Sequence, residues 1–212
     1  MKYILMCGGS YEKWETPRQL IDIGNEMLIE RTIRLLRENG VTDIAISTHS
    51  PEFAIIMGVQ ILWHQNSYNA RSYNDFDGYW CDAFYPTDEP ACYIFGDVVF
   101  SPEAIKTIVE TETDDIEFFA SAPPFDNRYC KDSAEPFALK VVNQKHLNQA
   151  ISLLKIYDQQ NLFKRKPIMW ELWQVIKKTP LNEIDYTNYT VINDYTCDID
   201  NPEDIELFKG VI

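Results

Sequence analysis

The chain has 212 residues, with 33 Asp plus Glu against 19 Lys plus Arg, a net charge of −14 and a 45% hydrophobic share. Those figures suit one globular domain with a sizeable core and exclude disordered and fibrous classes; the acid surplus disfavours a nucleic-acid partner, whose phosphates call for clustered Lys and Arg. No run approaches the roughly 18 to 20 apolar residues of a membrane span, and the apolar start is too short for a signal peptide, so the chain reads as cytoplasmic.

In chain order, residues 3–7 form a short apolar run ending in Gly8-Gly9-Ser10, the pattern of a buried strand followed by a tight loop. Leu28, Ile29, Ile33, Leu35 and Leu36 recur at helical spacing over residues 27–39, and Asn39-Gly40 supplies the stop. Residues 43–47 predict a second strand. Ser50-Pro51-Glu52 predicts a capped helix closed by Gly58, and residues 59–63 a third strand. The polar, aromatic stretch 64–90 is too long for a simple connection and is a candidate functional region.

Residues 91–95 predict a fourth strand, broken at Gly96-Asp97, and Ser101-Pro102-Glu103 starts another helix. Two further strands are expected at 116–121 and 136–142, separated by a loop with Pro123-Pro124. Helices follow at 145–160 and 167–178, then a last strand at 190–192. Asn201-Pro202-Glu203-Asp204 opens a terminal helix with its acids where the helix dipole favours them. Strands alternating with helices predict an α/β sheet, mainly parallel in its first half, with later strands adding antiparallel partners.

Five cysteines, at 7, 81, 92, 130 and 197, show no C-x-x-C, so neither a disulfide framework nor a zinc site is expected; Cys7, Cys92 and Cys197 read as small buried hydrophobes. His49, His64 and His146 form no H-x-x-x-H, and loop or surface roles are expected for them.

Ligands of open parallel sheets bind beyond the carboxyl ends of the strands, which singles out three segments. The first is Leu5-Met6-Cys7-Gly8-Gly9-Ser10, continuing to Thr16-Pro17-Arg18-Gln19-Leu20. Glycines let backbone N–H groups face a phosphate, with Lys13 and Arg18 to share its charge, although a plain strand-ending turn has the same local pattern. The second is Phe95-Gly96-Asp97, where a carboxylate after an apolar strand suits either a hard cation such as Mg²⁺ or a turn cap. In the third, Cys197-Asp198-Ile199-Asp200-Asn201-Pro202-Glu203-Asp204-Ile205, extended backbone would put Asp198 and Asp200 on one face; a solvated acidic helix start is the alternative.

Taken together with Met27-Leu28-Ile29-Glu30-Arg31-Thr32-Ile33 and Gly40-Val41-Thr42-Asp43-Ile44, these segments resemble the nucleotidyltransferases, α/β proteins that condense a nucleoside triphosphate with a phosphorylated sugar or small alcohol. The resemblance spans nearly the whole chain and implies one domain, residues 1–212, with a three-layer α/β/α sandwich around a mixed, mainly parallel sheet like the GT-A class. It also implies metal-dependent release of pyrophosphate. Asp97 and Asp200 would hold Mg²⁺, with Asp198 as a supplementary ligand, and Lys13, Arg18 and Asp97 would be catalytic. Met6, Cys7, Gly8, Gly9, Ser10, Asn66 and Asn74 would bind the nucleotide, and Tyr73, Lys140 and Trp170 the acceptor.

The short chain, the Tyr- and Asn-rich stretch 66–80 and the late helix with Trp170 and Trp173 look most like the phosphocholine cytidylyltransferases of bacterial surface-polymer pathways, which favours CTP; aromatic faces suit a choline-like acceptor. The chain departs from the usual Gly-x-Gly-x-Arg loop, with Ser10 at the second glycine and Glu12 where the arginine belongs, and Arg18 stands where a lysine is usual. Two alternatives follow: a GT-A glycosyltransferase using a nucleotide-sugar donor, and a non-catalytic nucleotide-binding module. The first usually carries Asp-x-Asp after a mid-chain strand, where this chain reads Phe95-Gly96-Asp97.

The charge is unevenly placed. Residues 1–50 carry 6 basic and 7 acidic groups, net −1, whereas residues 181–212 carry 1 basic and 8 acidic, net −7. An acidic site that takes a triphosphate calls for a cation between the two.

Overall fold

A computed structural model of the chain describes residues 1–9, 14–64, 78–123 and 134–212. Its elements in order are β1 (Lys2–Met6), β2 (Asp22–Ile23), β3 (Glu26–Met27), α1 (Leu28–Glu38), β4 (Ile44–Thr48), β5 (Gln60–Trp63), β6 (Ala91–Phe95), β7 (Val98–Val99), α2 (Pro102–Glu110), β8 (Ile116–Ser121), β9 (Glu135–Val141), α3 (Gln144–Gln159), α4 (Met169–Lys177), β10 (Thr190–Val191) and β11 (Cys197–Asp198). Short 3-10 turns lie at Arg18–Leu20, Pro51–Ile55, Trp80–Ala83 and Pro202–Phe208.

The continuous apolar runs become the middle of a seven-stranded sheet of order β10-β8-β9-β6-β1-β4-β5. Ile4, Leu5, Ala45, Ile46, Cys92 and Ile94 are fully buried, as expected of strands covered on both faces. Every neighbouring pair is parallel except those of β9, which runs antiparallel to both β6 and β8. Helix α1 packs with α2, and α3 with α4, which with the sheet gives the three-layer α/β/α sandwich. Helix α4 is buried along its length, with Trp170 and Trp173 against Phe118 of β8.

Two expected helices are only 3-10 turns. The cap chemistry at Ser50-Pro51 yields a turn ending at Ile55, and the terminal segment a turn over Pro202–Phe208. Each carries too few inward-facing apolar residues to anchor an α-helical face: Phe53 alone is buried in the first and Phe208 alone in the second.

A second, smaller apolar cluster lies apart from the main core. Ile23, Leu28, Val99, Cys197, Ile199 and Phe208 are buried in it, with Trp14, Ile21, Tyr195, Ile205 and Ile212 packed around them. It joins the β2–β3 hairpin, the β7–β11 ladder and the terminal turn, three features carrying residues singled out from the sequence.

Candidate functional site

Because β9 runs opposite to its neighbours, the amino end of β9 and the carboxyl ends of β1, β4 and β6 meet along one edge of the sheet. A pocket opens there. Its walls include Met6, Gly8 and Gly9 after β1, Ser47 of β4, Phe95, Asp97 and Val98 around the end of β6, and Glu135 and Pro136 of β9. Trp80, Ala83, Arg18, Asp198 and Asp200 complete it.

Gly96 is required by contact. A Cβ there would lie 2.6 Å from Cys7 Sγ and 2.8 Å from the Met6 carbonyl oxygen, so only glycine lets the turn after β6 press against the end of β1. Gly9 adopts φ +107°, a left-handed conformation that lets the chain leave β1 sharply.

Beyond Gly96 the backbone pairs at once with the acidic segment. Val98 stands opposite Asp198 and Val99 opposite Cys197, and the Ile199 amide donates to the Asp97 carbonyl at 2.9 Å. Two stretches about a hundred residues apart are thereby held side by side. Asp204 fixes the turn that follows, its Oδ2 accepting from the amides of Asp200 at 2.9 Å and Asn201 at 2.8 Å. Thus Asp204, outside the pocket wall, is a cap that orients Asp200.

Arg18 reaches the same place from the 3-10 turn after Pro17. Its Nη2 lies 2.5 Å from Asp97 Oδ2, and its Nη1 lies 3.2 Å from Asp200 Oδ1 and donates to the Ile199 carbonyl at 2.9 Å. The Asp97 carboxylate, aided by Asp200 and Asp198 against the cost of burial, holds the guanidinium above its ordinary pKa, so it stays charged. Arg18 Nε is buried and has no hydrogen-bond partner among the described residues.

The aromatic wall is built on Asp82. Its Oδ2 accepts from the Tyr79 amide at 3.2 Å, its Oδ1 meets Lys155 Nζ at 2.5 Å, and its carbonyl lies 2.9 Å from His64 Nε2. These contacts pin the Trp80–Ala83 turn against α3 and set the Trp80 ring edge-on to Phe95, centroids 5.2 Å apart.

Of the residues singled out from the sequence, the fold brings Met6, Gly8, Gly9, Arg18, Asp97, Asp198 and Asp200 to one pocket. Cys7 lies beneath it, fully buried, its amide bonded to the Ser47 carbonyl and its own carbonyl to Thr48 Oγ1; burial, with Asp97 nearby, pushes its thiol well above the usual range. Ser10, Lys13, Asn66, Tyr73 and Asn74 lie outside the described residues.

Two expectations are corrected. Lys140 does not face the pocket: it pairs with Cys92 near the start of β6 and Glu117 near the start of β8, at the opposite edge of the sheet. Its ammonium donates to the carbonyls of Val109 at 3.1 Å and Thr111 at 2.6 Å, closing the end of α2. Trp170 is 1% exposed, packed against Phe118, Tyr186 and Tyr189, with its indole N–H donated to the Ala134 carbonyl at 3.1 Å, so it is core.

Ser47, Trp80, Ala83, Phe95, Val98, Glu135 and Pro136 are wall residues that sequence reasoning missed. Phe95 and Val98 flank Asp97, and Trp80 falls in the stretch flagged as functional, so a weak signal existed for them. For Glu135 there was none, because its place depends on the reversed direction of β9.

Three carboxylates, Asp97, Asp198 and Asp200, offer only hard oxygen donors, the chemistry that suits Mg²⁺. Among the described residues no group of three or more His, Cys, Asp or Glu is arranged as a metal cluster. The set fits the usual way of holding Mg²⁺, through one or two carboxylates with substrate phosphates completing the shell.

No family model matches the chain, and neither does any curated protein. Among solved structures it is similar to a protein of Bacillus anthracis provisionally assigned as a glucose-1-phosphate thymidylyltransferase, solved in complex with sucrose, at 15% identity and TM-score 0.59 over 99% of this chain and 94% of that one. It is also similar to Rv0371c of Mycobacterium tuberculosis H37Rv, at 11% identity and TM-score 0.56 over 98% and 96% of the two chains. An Rv0371c homolog from Mycobacterium sp. strain JC1 matches at 14% identity and TM-score 0.52, over 98% and 93%. These likenesses establish the fold: a mixed, mostly parallel α/β sheet of the nucleotidyltransferase and GT-A type. No helix among the described residues is long and apolar enough to cross a membrane.

Proposed function

We propose that residues 1–212 form one nucleotidyltransferase domain. It joins a nucleoside triphosphate, CTP in preference, to a phosphorylated sugar or small alcohol and releases pyrophosphate, as a cytoplasmic step in making surface-polysaccharide precursors. The observation that carries this reading is the convergence of Asp97, Asp200, Asp198 and Arg18 with the Gly8-Gly9 turn in one pocket at the carboxyl edge of the sheet.

The acceptor phosphate is already an anion, so attack on the α-phosphorus asks the protein for position and charge compensation, with no added base. The Gly8-Gly9 backbone lets the triphosphate approach closely. Arg18, whose Nε–H has no partner among the described residues, suits the phosphates that leave as pyrophosphate. Asp97 and Asp200 would hold Mg²⁺, which would supply charge neutralisation for the phosphates. Trp80 and Phe95 give the wall an apolar face for the base or acceptor.

The test is pyrophosphate release with each of ATP, CTP, GTP and UTP in the presence of Mg²⁺, glucose 1-phosphate and phosphocholine serving as acceptors. Release that is selective for CTP and needs an acceptor is expected. Hydrolysis of a UDP-sugar with no NTP-dependent release would overturn the reading in favour of a glycosyltransferase; selective nucleotide binding without turnover would favour a binding module.

A further inference from the structure

The two carboxylates assigned to the cation already share Arg18 as a counter-charge. Arg18 touches Asp97 at 2.5 Å, Asp200 at 3.2 Å and the Ile199 carbonyl at 2.9 Å, and so clamps the end of β6 to the segment after β11. A divalent ion held by the same two carboxylates would stand close to the guanidinium that already touches them. Two cations that close in a partly buried pocket repel.

We infer that Arg18 and a divalent cation compete for Asp97 and Asp200, so that the pocket takes the cation together with a polyphosphate and not alone. The inference deepens the nucleotidyl-transfer reading and rests on it for the polyphosphate. Arg18 has somewhere to go: its buried Nε–H has no partner among the described residues, and its planar fork matches two oxygens of a phosphate as well as it matches carboxylates. When the guanidinium turns to phosphate, its contacts to Asp97 and Asp200 are released as the metal arrives with it. A lysine at this position, as the resemblance implies, presents a single point charge and cannot bridge two carboxylates and a carbonyl at once.

Mn²⁺ standing in for Mg²⁺, without any nucleotide, tests the competition through the electron paramagnetic resonance signal of the free ion. Wild-type protein is expected to bind Mn²⁺ weakly, Arg18→Gln at least about tenfold more tightly, and Arg18→Lys in between, with thermal denaturation confirming that each variant is folded. A measurement needing no folded variant runs alongside: the Arg18 Nε–H nuclear magnetic resonance signal of wild type should stay in place with Mg²⁺ alone and move when inorganic tripolyphosphate is added with it. Variants that bind Mn²⁺ no more tightly than wild type, or a signal that moves with Mg²⁺ alone, would overturn the competition. Because the Mn²⁺ measurement contains no nucleotide, it stands whether or not pyrophosphate release is found.

Discussion

The two edges of the central sheet each hold a cation, and the contrast between them separates a site from a brace. At the carboxyl edge Arg18 faces two carboxylates on different segments; at the amino edge Lys140 faces two backbone carbonyls at the end of a helix. Their pKa values move in opposite directions. Asp97 drives that of Arg18 up, whereas burial pushes that of Lys140 down. A cation matched to carboxylates can be exchanged for phosphate or metal, but one matched to neutral carbonyls has only a helix end to hold. Lys140 falls at the amino edge because β9 runs opposite to β6 and β8.

The largest expected effect lies at the carboxyl edge. Asp97→Ala and Asp200→Ala should each lower pyrophosphate release about 100-fold or more, the scale of losing one group that stabilises developing charge; near wild-type turnover in both would remove that edge from the chemistry. Gly96→Ala comes next. Its methyl would meet Cys7 Sγ at 2.6 Å and the Met6 carbonyl at 2.8 Å, and backbone cannot retreat as a flexible side chain can, so a loss of about 1–3 kcal/mol in urea denaturation is expected.

At the amino edge Lys140→Met should cost about 1–2 kcal/mol by leaving two carbonyls unpaired, with turnover and acceptor KM unchanged. A rise in acceptor KM would break the contrast. The smallest effect is on pH dependence. Since the folded-state pKa of Lys140 lies below its ordinary 10.5, the unfolded chain holds that proton more tightly, and the penalty present at neutral pH is relieved as pH rises from the folded value toward 10.5. The stability of wild type relative to Lys140→Met should therefore rise across that alkaline window, as thermal melts at several pH values would record.

The same contrast explains what the sequence could express. Apolar runs and their glycine and proline stops placed every strand of the large sheet to within a residue or two, and the Gly-Gly, Gly-Asp and Asp-x-Asp signals marked residues that share a pocket. Lys140 was misplaced because the composition of one strand does not reveal which way it runs. Trp170 was misplaced because an aromatic helix face reads alike whether it meets a ligand or the core. The two-residue ladders β2–β3 and β7–β11 left no periodic trace, since a long-range apolar cluster holds them, not local propensity. That ladder is nonetheless what puts Asp198 and Asp200 beside Asp97.

The small cluster around Phe208 also makes the pocket depend on parts of the chain far apart in sequence. The Gly8-Gly9 turn and Asp200, with the Phe208 that packs beneath its segment, stand about 190 residues apart in the chain. β1, β4 and β6 end at one side of the pocket, and the segment through Phe208 supplies Asp198 and Asp200 to the other. A chain cut short before Asp198 would keep β1, β4 and β6 but lack the two carboxylates that face Asp97.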